Sequence, residues 1–179
     1  HYLEAGCGFG GSCFPKDVRA LVAHGRQAGA PMQLLDAVVR INEDQPKKVV
    51  ELLRRHHPSL EDVSVAVLGL AFKPGTDDVR ESPALTVVDE LRAGGVDVRA
   101  YDPVARDTAR QALGDEGIEY CETMEECVRD ADAVILLTEW EEFRELPALL
   151  ERLDGERLVV DGRRFLDKES VRRYEGIGV

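Results

Sequence analysis

Hydrophobic and polar positions follow two different periods along the chain, and the change falls near residue 58. Before it, apolar residues recur at roughly helical spacing, which predicts a short helix over 18–28 and a long helix over about 31–56. Asp17 is well placed to cap the first of these helices. Pro46 lies inside the second, so we expect a kink or a break near this residue.

After His57-Pro58 short apolar runs alternate with amphipathic stretches. A nearly continuous apolar run such as 133–137 is typical of a strand covered on both faces, as in a parallel sheet. The predicted strands occupy 63–69, 96–101, 118–120, 132–137 and 157–161, and the predicted helices occupy 83–94, 104–113, 123–130, 141–153 and 167–174. The predicted fold class is therefore α/β, with a doubly wound, mostly parallel sheet of five or six strands after a helical segment.

The formal net charge of −12 argues against nucleic acid or an anionic membrane as partner, because either polyanion would be repelled. Only five Lys stand beside 18 Arg and 35 acidic residues, which suggests a salt-adapted, halophilic cytoplasm; an ordinary acidic protein with Arg-rich coding is the alternative. No apolar run reaches the roughly 18 residues of a membrane span, and no signal peptide is visible. We therefore expect a cytoplasmic location.

Four cysteines form no C-x-x-C pair and have no familiar zinc spacing to the histidines, so we predict free thiols and no metal site. Cys121 and Cys127 resemble small core residues. Cys13 differs, because it lies in the glycine-rich segment GCGFGGSCFPKD, beside a predicted helix N-terminus and Lys16. Such surroundings favour the thiolate that a nucleophile needs. Asp17 is a candidate base or only the helix cap.

The strand–helix–strand unit that ends at Asp102 invites comparison with a dinucleotide-binding fold, but its turn, GLAFKPGT, lacks G-x-G-x-x-G. Basic residues follow the first and last predicted strands, at what would be one edge of the sheet. They suggest a site for an anion such as a diphosphate, and they are Lys73, Arg80, Arg163 and Arg164. In the alternative interpretation, Lys73 and Arg80 only pair with nearby acidic residues, which are Asp77, Asp78 and Glu81.

Four segments together closely resemble the UDP-glucose/GDP-mannose dehydrogenase family in order and spacing. They are GFGGSCFPKD, GLAFKPGTDDVRESP, YDP and DGRR. The resemblance covers almost the whole chain and corresponds to the latter half of a family member. It implies an NAD-dependent oxidoreductase, most like UDP-glucose 6-dehydrogenase, that uses two NAD⁺ to oxidise the sugar C6 alcohol to a carboxylate and so serves polysaccharide biosynthesis.

The resemblance also implies roles for single residues. Cys13 would attack the aldehyde to give a thiohemiacetal, which a second hydride transfer converts to a thioester for hydrolysis, and Asp17 would assist proton transfer or the hydrolytic water. Lys16 and Arg80 match contacts to NAD. The positions that match contacts to the sugar nucleotide are Tyr2, Leu3, Glu4, Ala5, Gly6, Gly10, Phe72, Lys73 and Arg163.

Three segments follow from the resemblance. They are a catalytic cysteine loop over 1–17, the end of a central helical dimerisation domain over 18–57, and a Rossmann-like UDP-binding domain over 58–179. The long helix would make a homodimer. The family's amino-terminal NAD-binding domain has no counterpart in these residues, so we expect this chain alone to be inactive and to bind UDP weakly. The alternatives are a GDP-mannose or UDP-N-acetylmannosamine dehydrogenase, or a non-catalytic nucleotide-binding dimerisation module.

Overall fold

Six parallel strands form one sheet in the computed structural model, which describes residues 5–153 and 156–178. The strands are β1 Ser64–Leu68, β2 Asp97–Tyr101, β3 Ile118–Tyr120, β4 Ala133–Leu136, β5 Leu158–Asp161 and β6 Tyr174–Gly176. Their order across the sheet is β3-β2-β1-β4-β5-β6, and every neighbouring pair is parallel. This is the doubly wound order, in which the chain reverses its direction of travel between β1 and β4. The predicted α/β class is confirmed.

Two helices precede the sheet and four lie between its strands. They are α1 Phe14–Gln27, α2 Gln33–His56, α3 Pro83–Ala93, α4 Arg106–Leu113, α5 Met124–Arg129 and α6 Leu146–Arg152. Ser82 caps α3 by accepting a hydrogen bond from the Ala84 backbone, and Thr123 caps α5 in the same way through Glu126. Short 3₁₀ turns precede α6 and follow β5, at Glu141–Glu145 and Lys168–Ser170.

Alternate residues of the central strands feed two separate cores. In β1, Val65 and Val67 face the side covered by α2 and α3, whereas Ala66 and Leu68 face the side covered by α5 and α6. This alternation requires both strand faces to be apolar, which is the pattern seen in the sequence. The second half of α2, through residues such as Val49 and Leu53, packs fully into the first core.

Three local predictions were wrong. Helix α1 begins at Phe14 rather than at 18, because Pro15 in its first turn has the backbone angle that a helix start needs. Helix α2 continues through buried Pro46, so the break that was one of the two predicted effects of this residue is absent, since packing against the sheet holds the second half of the helix in place. Residues 168–170 form a 3₁₀ turn and Tyr174 begins β6, instead of the helix predicted over 167–174, because the end of this stretch pairs with β5.

Within the described ranges, no helix is both long enough and apolar enough to cross a membrane. The exposed large apolar side chains are instead concentrated on the first two helices. Leu34 and Ile41 are 78% and 59% exposed on α2, and Phe14 and Leu21 are 53% and 46% exposed on α1. Within each helix the two residues are seven positions apart and therefore share one face.

Candidate active site

The cysteine loop, residues 5–13, crosses the edge of the sheet at which β4 and β5 end. Its Cys7 amide donates to the Gly162 carbonyl at 2.8 Å, and the Cys7 side chain is fully buried. Arg163 strengthens the attachment, because its Nε donates to the Leu137 carbonyl at 2.8 Å and its Nη1 donates to the Gly8 carbonyl at 2.9 Å. One guanidinium group thus joins the end of β4 to the cysteine loop.

Helix α2 holds the same loop from the other side. The Asn42 side chain accepts from the Phe9 amide at 2.8 Å and donates to the Phe9 carbonyl at 3.0 Å. One turn further along the helix, Gln45 Nε2 donates to the Gly6 carbonyl at 3.0 Å. The loop therefore has side-chain partners on both α2 and the sheet.

The third attachment is to the segment that follows β1. The Gly11 amide donates to the Arg80 carbonyl at 2.9 Å. Gly10 packs so closely that an added Cβ would lie 2.2 Å from the Glu81 carbonyl oxygen, and one on Gly11 would lie 2.9 Å from the Phe72 ring. No side chain fits in either place, which explains the two successive glycines before Ser12 and Cys13.

Cys13 itself is exposed at the N-cap of α1, whereas the other three cysteines are buried. Ser12 Oγ lies 3.7 Å from Cys13 Sγ. Asp17 is one helical turn beyond Cys13, on the same side of the helix, and donates its amide to the Cys13 carbonyl at 2.9 Å. The Asp17 carboxylate is not the cap of α1; it is exposed and lies 3.6 Å from Lys16 Nζ. The Asp17 carboxylate and the Lys16 ammonium group are thus both exposed, on residues within about one helical turn of Cys13.

The basic residues after β1 fit the alternative interpretation in part. Arg80 forms a double hydrogen bond to Asp78, with Nε and Nη2 at 2.9 and 2.8 Å from its carboxylate oxygens. The Arg80 side chain and backbone thereby lower the pKa of Asp78. Hydrogen bonding and charge attraction to Asp78 raise the pKa of Arg80, and the nearby Cys13 adds to this rise. Lys73 lies over the Phe72 ring, 5.4 Å from its centre, and is exposed.

Asp102 directly follows β2, at the position where a dinucleotide-binding fold often places a ribose-binding carboxylate. Here the side chain is 2% exposed, and its oxygens accept from the backbone amides of both flanking loops. The distances are 2.7 Å from Leu70, 3.1 Å from Ala71, 2.9 Å from Val104 and 2.7 Å from Ala105. Trp140 Nε1 adds a fifth bond at 3.1 Å. Because its acceptor sites are filled, Asp102 connects the loops that follow β1 and β2 rather than offering a free carboxylate to a ligand.

Sequence comparisons match two consecutive parts of the chain to one family. Residues 66–168 match the UDP-glucose/GDP-mannose dehydrogenase family, UDP binding domain, and residues 1–44 match the central domain of that family. The chain belongs to this family.

Two similar family members carry a name that states an activity. UDP-glucose 6-dehydrogenase AglM of Haloferax volcanii is 43% identical over 178 residues, which are 98% of this chain and 40% of that protein. UDP-glucose 6-dehydrogenase TuaD of Bacillus subtilis is 39% identical over 182 residues, which cover 99% of this chain and 39% of that protein. The chain thus spans about two-fifths of the length of these relatives.

Solved structures of the UDP-glucose/GDP-mannose dehydrogenase family share the fold. A UDP-glucose dehydrogenase from Pyrobaculum islandicum superposes with a TM-score of 0.87 at 41% identity, covering 98% of this chain and 39% of that one. A GDP-mannose dehydrogenase from Pseudomonas aeruginosa superposes with a TM-score of 0.82 at 28% identity, covering 98% of this chain and 41% of that one.

The structure brings together most of the residues that resemblance to this family singled out. Gly6 and Gly10 lie in the cysteine loop, and a Cβ on Gly6 would be 3.2 Å from Arg163 Nη1. Ala5 is half-buried at the start of the loop. Tyr2, Leu3 and Glu4 lie outside the described residues. Arg164 is exposed, with φ of 53°, and is not among the residues that hold the loop.

Sequence reasoning missed the residues that hold the site in shape. Asn42 and Gln45 were passed over as polar positions in a helix, and Asp161 as the end of a strand. Asp161 is buried, and it accepts from the backbone amides of Arg163 and Leu166, each at 2.9 Å. One signal was available: Asn42 and Gln45 continue the apolar stripe of α2 that contains Val38 and Ile41.

Proposed function

We propose that this chain is the carboxyl-terminal part of an NAD-dependent UDP-glucose 6-dehydrogenase that oxidises UDP-glucose to UDP-glucuronate. The observation that carries the proposal is the exposed Cys13 at the end of a loop fixed to the carboxyl edge of a doubly wound sheet. Ligands of such sheets bind in the crevice at this edge. The similar UDP-glucose 6-dehydrogenases support the choice of substrate.

The residues around Cys13 suit a second ligand that carries phosphates. Lys16 and Arg80 are exposed cations close to the thiol, as an anionic cofactor requires. NAD would supply the acceptor for the hydride in each of the two oxidations. Lys16 and Arg80 would hold it from the side of this chain, while a glycine fingerprint for its pyrophosphate would belong to a domain outside these residues.

In the proposed mechanism, Cys13 forms a covalent intermediate at the sugar C6. Its sulfur bonds to the carbonyl carbon of the aldehyde, and the thiol proton passes to the carbonyl oxygen, giving a thiohemiacetal. After the second oxidation, water attacks the thioester carbon and the sulfur leaves as thiolate, releasing the carboxylate. Asp17, one turn along α1 from Cys13, would accept a proton from that water.

Binding of the sugar nucleotide would involve the face of the loop that meets the β1 segment. Phe72 and Lys73 present a ring and an exposed ammonium group beside Gly11, which suits a base or ribose next to a phosphate. Arg163 would contribute to substrate binding partly by its hydrogen bond to the Gly8 carbonyl, which keeps the loop in place. The remaining proposed contacts of the described loop are Ala5, Gly6 and Gly10.

We also propose that the chain forms a homodimer through α1 and α2. Leu34 and Ile41 expose an apolar face on the first half of α2, which is more than a monomer helix normally leaves in water. We expect Ile41→Asp to convert a dimer to a monomer in analytical ultracentrifugation. The matched change Val104→Asp, at an exposed apolar residue outside this face, should leave the dimer intact.

The direct test is NADH formation by the longer protein that carries this chain, with UDP-glucose, GDP-mannose and UDP-N-acetylmannosamine as separate substrates. We expect UDP-glucose to be preferred and Cys13→Ser to stop the second oxidation, so that less than two NADH form for each sugar. The chain of 179 residues alone should form no NADH. Preference for another sugar, or two NADH for each sugar from Cys13→Ser, would refute the proposal.

A further inference from the structure

The cysteine loop makes most of its backbone hydrogen bonds to groups that lie far away in sequence. The partners on the sheet are backbone carbonyls and Arg163, whereas the partners on α2 are two neutral amide side chains, Asn42 and Gln45. Asn42 is distinctive because it bonds to both the amide and the carbonyl of one residue, Phe9. A side-chain amide can do this only when its donor and acceptor both face the same peptide edge.

We infer that Asn42 is a positioning residue for Cys13, and that Gln45 supports it. The inference rests on the proposed function for its catalytic consequence, but its structural part stands on the contacts alone. Asn42 fixes Phe9, which lies four residues before Cys13, and between them are Gly10, Gly11 and Ser12. The Gly11 amide is also bonded to the Arg80 carbonyl, so the backbone that leads to Cys13 is held at Phe9 by Asn42 and at Gly11 by the segment after β1.

Close packing around the Asn42 amide group supports its role in positioning the loop. A Cβ on Gly8 would lie 3.0 Å from Asn42 Oδ1, so the loop backbone rests directly against the amide group. The Phe9 ring also packs edge-on against the ring of Phe14 in α1, with ring centres 4.7 Å apart. Phe9 therefore connects Asn42 on α2 with the first residue of the helix that carries Cys13 at its N-cap. A shift at Phe9 would displace both.

The first experiment uses hydrogen exchange of backbone amides in this chain, followed by NMR. Asn42→Ala removes the acceptor of the Phe9 amide, so that amide will exchange faster whatever else happens. The Gly11 and Cys7 amides, bonded to Arg80 and Gly162, report whether the whole loop moves. We expect the Gly11 amide to exchange about tenfold faster in Asn42→Ala and to be unchanged in Glu43→Ala, a neighbouring exposed position.

The second experiment measures steady-state kinetics in the longer protein. We expect Asn42→Ala to lower kcat about 10- to 100-fold with KM for UDP-glucose within about twofold, because the nucleophile is misplaced while the nucleotide contacts remain. Gln45→Ala should lower kcat about two- to tenfold, as for the loss of one neutral hydrogen bond. Glu43→Ala should match the wild type.

The conservative variant Asn42→Asp adds a readout that lost stability would not give. The introduced carboxylate still accepts from the Phe9 amide but repels the Phe9 carbonyl; once protonated, it can donate to that carbonyl again. The kcat of Asn42→Asp relative to wild type should therefore rise as pH falls from about 8 to about 5.5, toward the carboxyl pKa. This variant also serves if Asn42→Ala does not fold.

The outcomes separate the two proposals. If the longer wild-type protein oxidises no nucleotide sugar, the proposed function fails, and the exchange experiment still decides whether Asn42 positions the loop. If only the Phe9 amide responds to Asn42→Ala while Gly11 keeps its protection, kcat stays within about twofold and the Asn42→Asp ratio is flat with pH, the inference is wrong.

Discussion

Cys13 and the pair Cys121 and Cys127 show two opposite environments for a thiol in one chain. Cys13 is exposed at the end of a glycine-rich loop, and its neighbours Lys16 and Asp17 are open to solvent. Cys121 and Cys127 are fully buried between β2, β3 and α5, where the Cys127 thiol donates to the Arg99 carbonyl at 3.4 Å. A reagent or substrate can therefore reach Cys13, whereas Cys121 and Cys127 have polar partners but are closed to solvent.

The two environments show that a shifted pKa does not by itself make a thiol reactive. Pairing with the neighbouring Cys127 thiol, and also the charge of Arg99, lower the pKa of Cys121. The same pairing and burial raise the pKa of Cys127 well above its ordinary range. Neither thiol can meet a substrate in the folded chain, because both side chains are completely covered. Access therefore makes Cys13 the candidate nucleophile, whatever the ionisation of the buried pair.

The largest expected effect is in alkylation rates. In the folded chain, iodoacetamide should modify Cys13 at least about a hundredfold faster than Cys121 or Cys127, because the buried thiols react only after the core opens. Mass spectrometry of peptides after timed labelling measures each site separately. In about 8 M urea all four cysteines should react at similar rates, which controls for intrinsic differences. Similar rates for Cys13 and Cys127 in the folded chain would contradict the comparison.

A second prediction concerns the packing of the cysteine loop, which carries the exposed Cys13. Gly10→Ala should lower the free energy of unfolding by about 3 kcal/mol, because the new methyl group would meet the Glu81 carbonyl oxygen at 2.2 Å. Gly75→Ala is the matched control, with a φ of +79° and no atom within 4 Å of its added Cβ. It should cost about 1 kcal/mol of backbone strain. Urea denaturation measures both, and equal losses would exclude a steric role for Gly10.

The stability of cysteine variants tests whether the buried thiols contribute to folding more than the exposed one does. Cys127→Ser should lower the free energy of unfolding by about 1–2 kcal/mol, because a hydroxyl group is harder to bury than a thiol. Cys13→Ser should change it by less than about 0.5 kcal/mol, since the side chain is exposed. Thermal unfolding of the two variants checks the contrast, and a larger loss from Cys13→Ser would reverse it.

The smallest expected effect comes from the ion pair beside Cys13. Because Arg80 lowers the pKa of Asp78 in the folded chain, the pair adds stability above the ordinary Asp pKa of about 4 and loses it as pH falls below that value. Asp78→Asn should therefore cost less than about 1 kcal/mol near pH 7, where solvent screens the exposed Arg80, and less than that near pH 2.5. Urea denaturation at the two pH values tests this, and an equal loss at both would rule out an ionic origin.

The sheet could be predicted largely from sequence because its signals are local. All five predicted strands are present, with each end within one residue of its predicted position. The strongest local signals are the apolar runs of β1, β4 and β5. Strand β6 was missed because Tyr174–Gly176 is short and follows two arginines, so only its pairing with β5 makes it a strand. Similarly, no local feature shows that Pro46 is tolerated inside α2; the packing of Val49 and Leu53 decides it.

The site divides in the same way. The glycine-rich segment sets Cys13 apart from Cys121 and Cys127, which resemble small core residues in the sequence, and the structure exposes the first and buries the other two. The attachment of the loop could not be predicted, because Asn42 is 33 residues from Phe9 and Arg163 is 155 residues from Gly8. The pairing of Arg80 with Asp78 was one of two open interpretations, and its choice depends on the turn that brings them together.

The long-range attachment of the cysteine loop also bears on the order in which the protein acquires its structure. Helices and neighbouring strands form from contacts close in sequence, whereas contacts across long loops require more chain entropy to be lost and form later. During synthesis, Gly8 emerges long before Arg163, its partner 155 residues away. The segment that carries the reactive thiol is thus made early and completed late, and a ribosome-bound chain that has not passed β5 would hold Cys13 on a loop that lacks its bonds to Gly162 and Arg163.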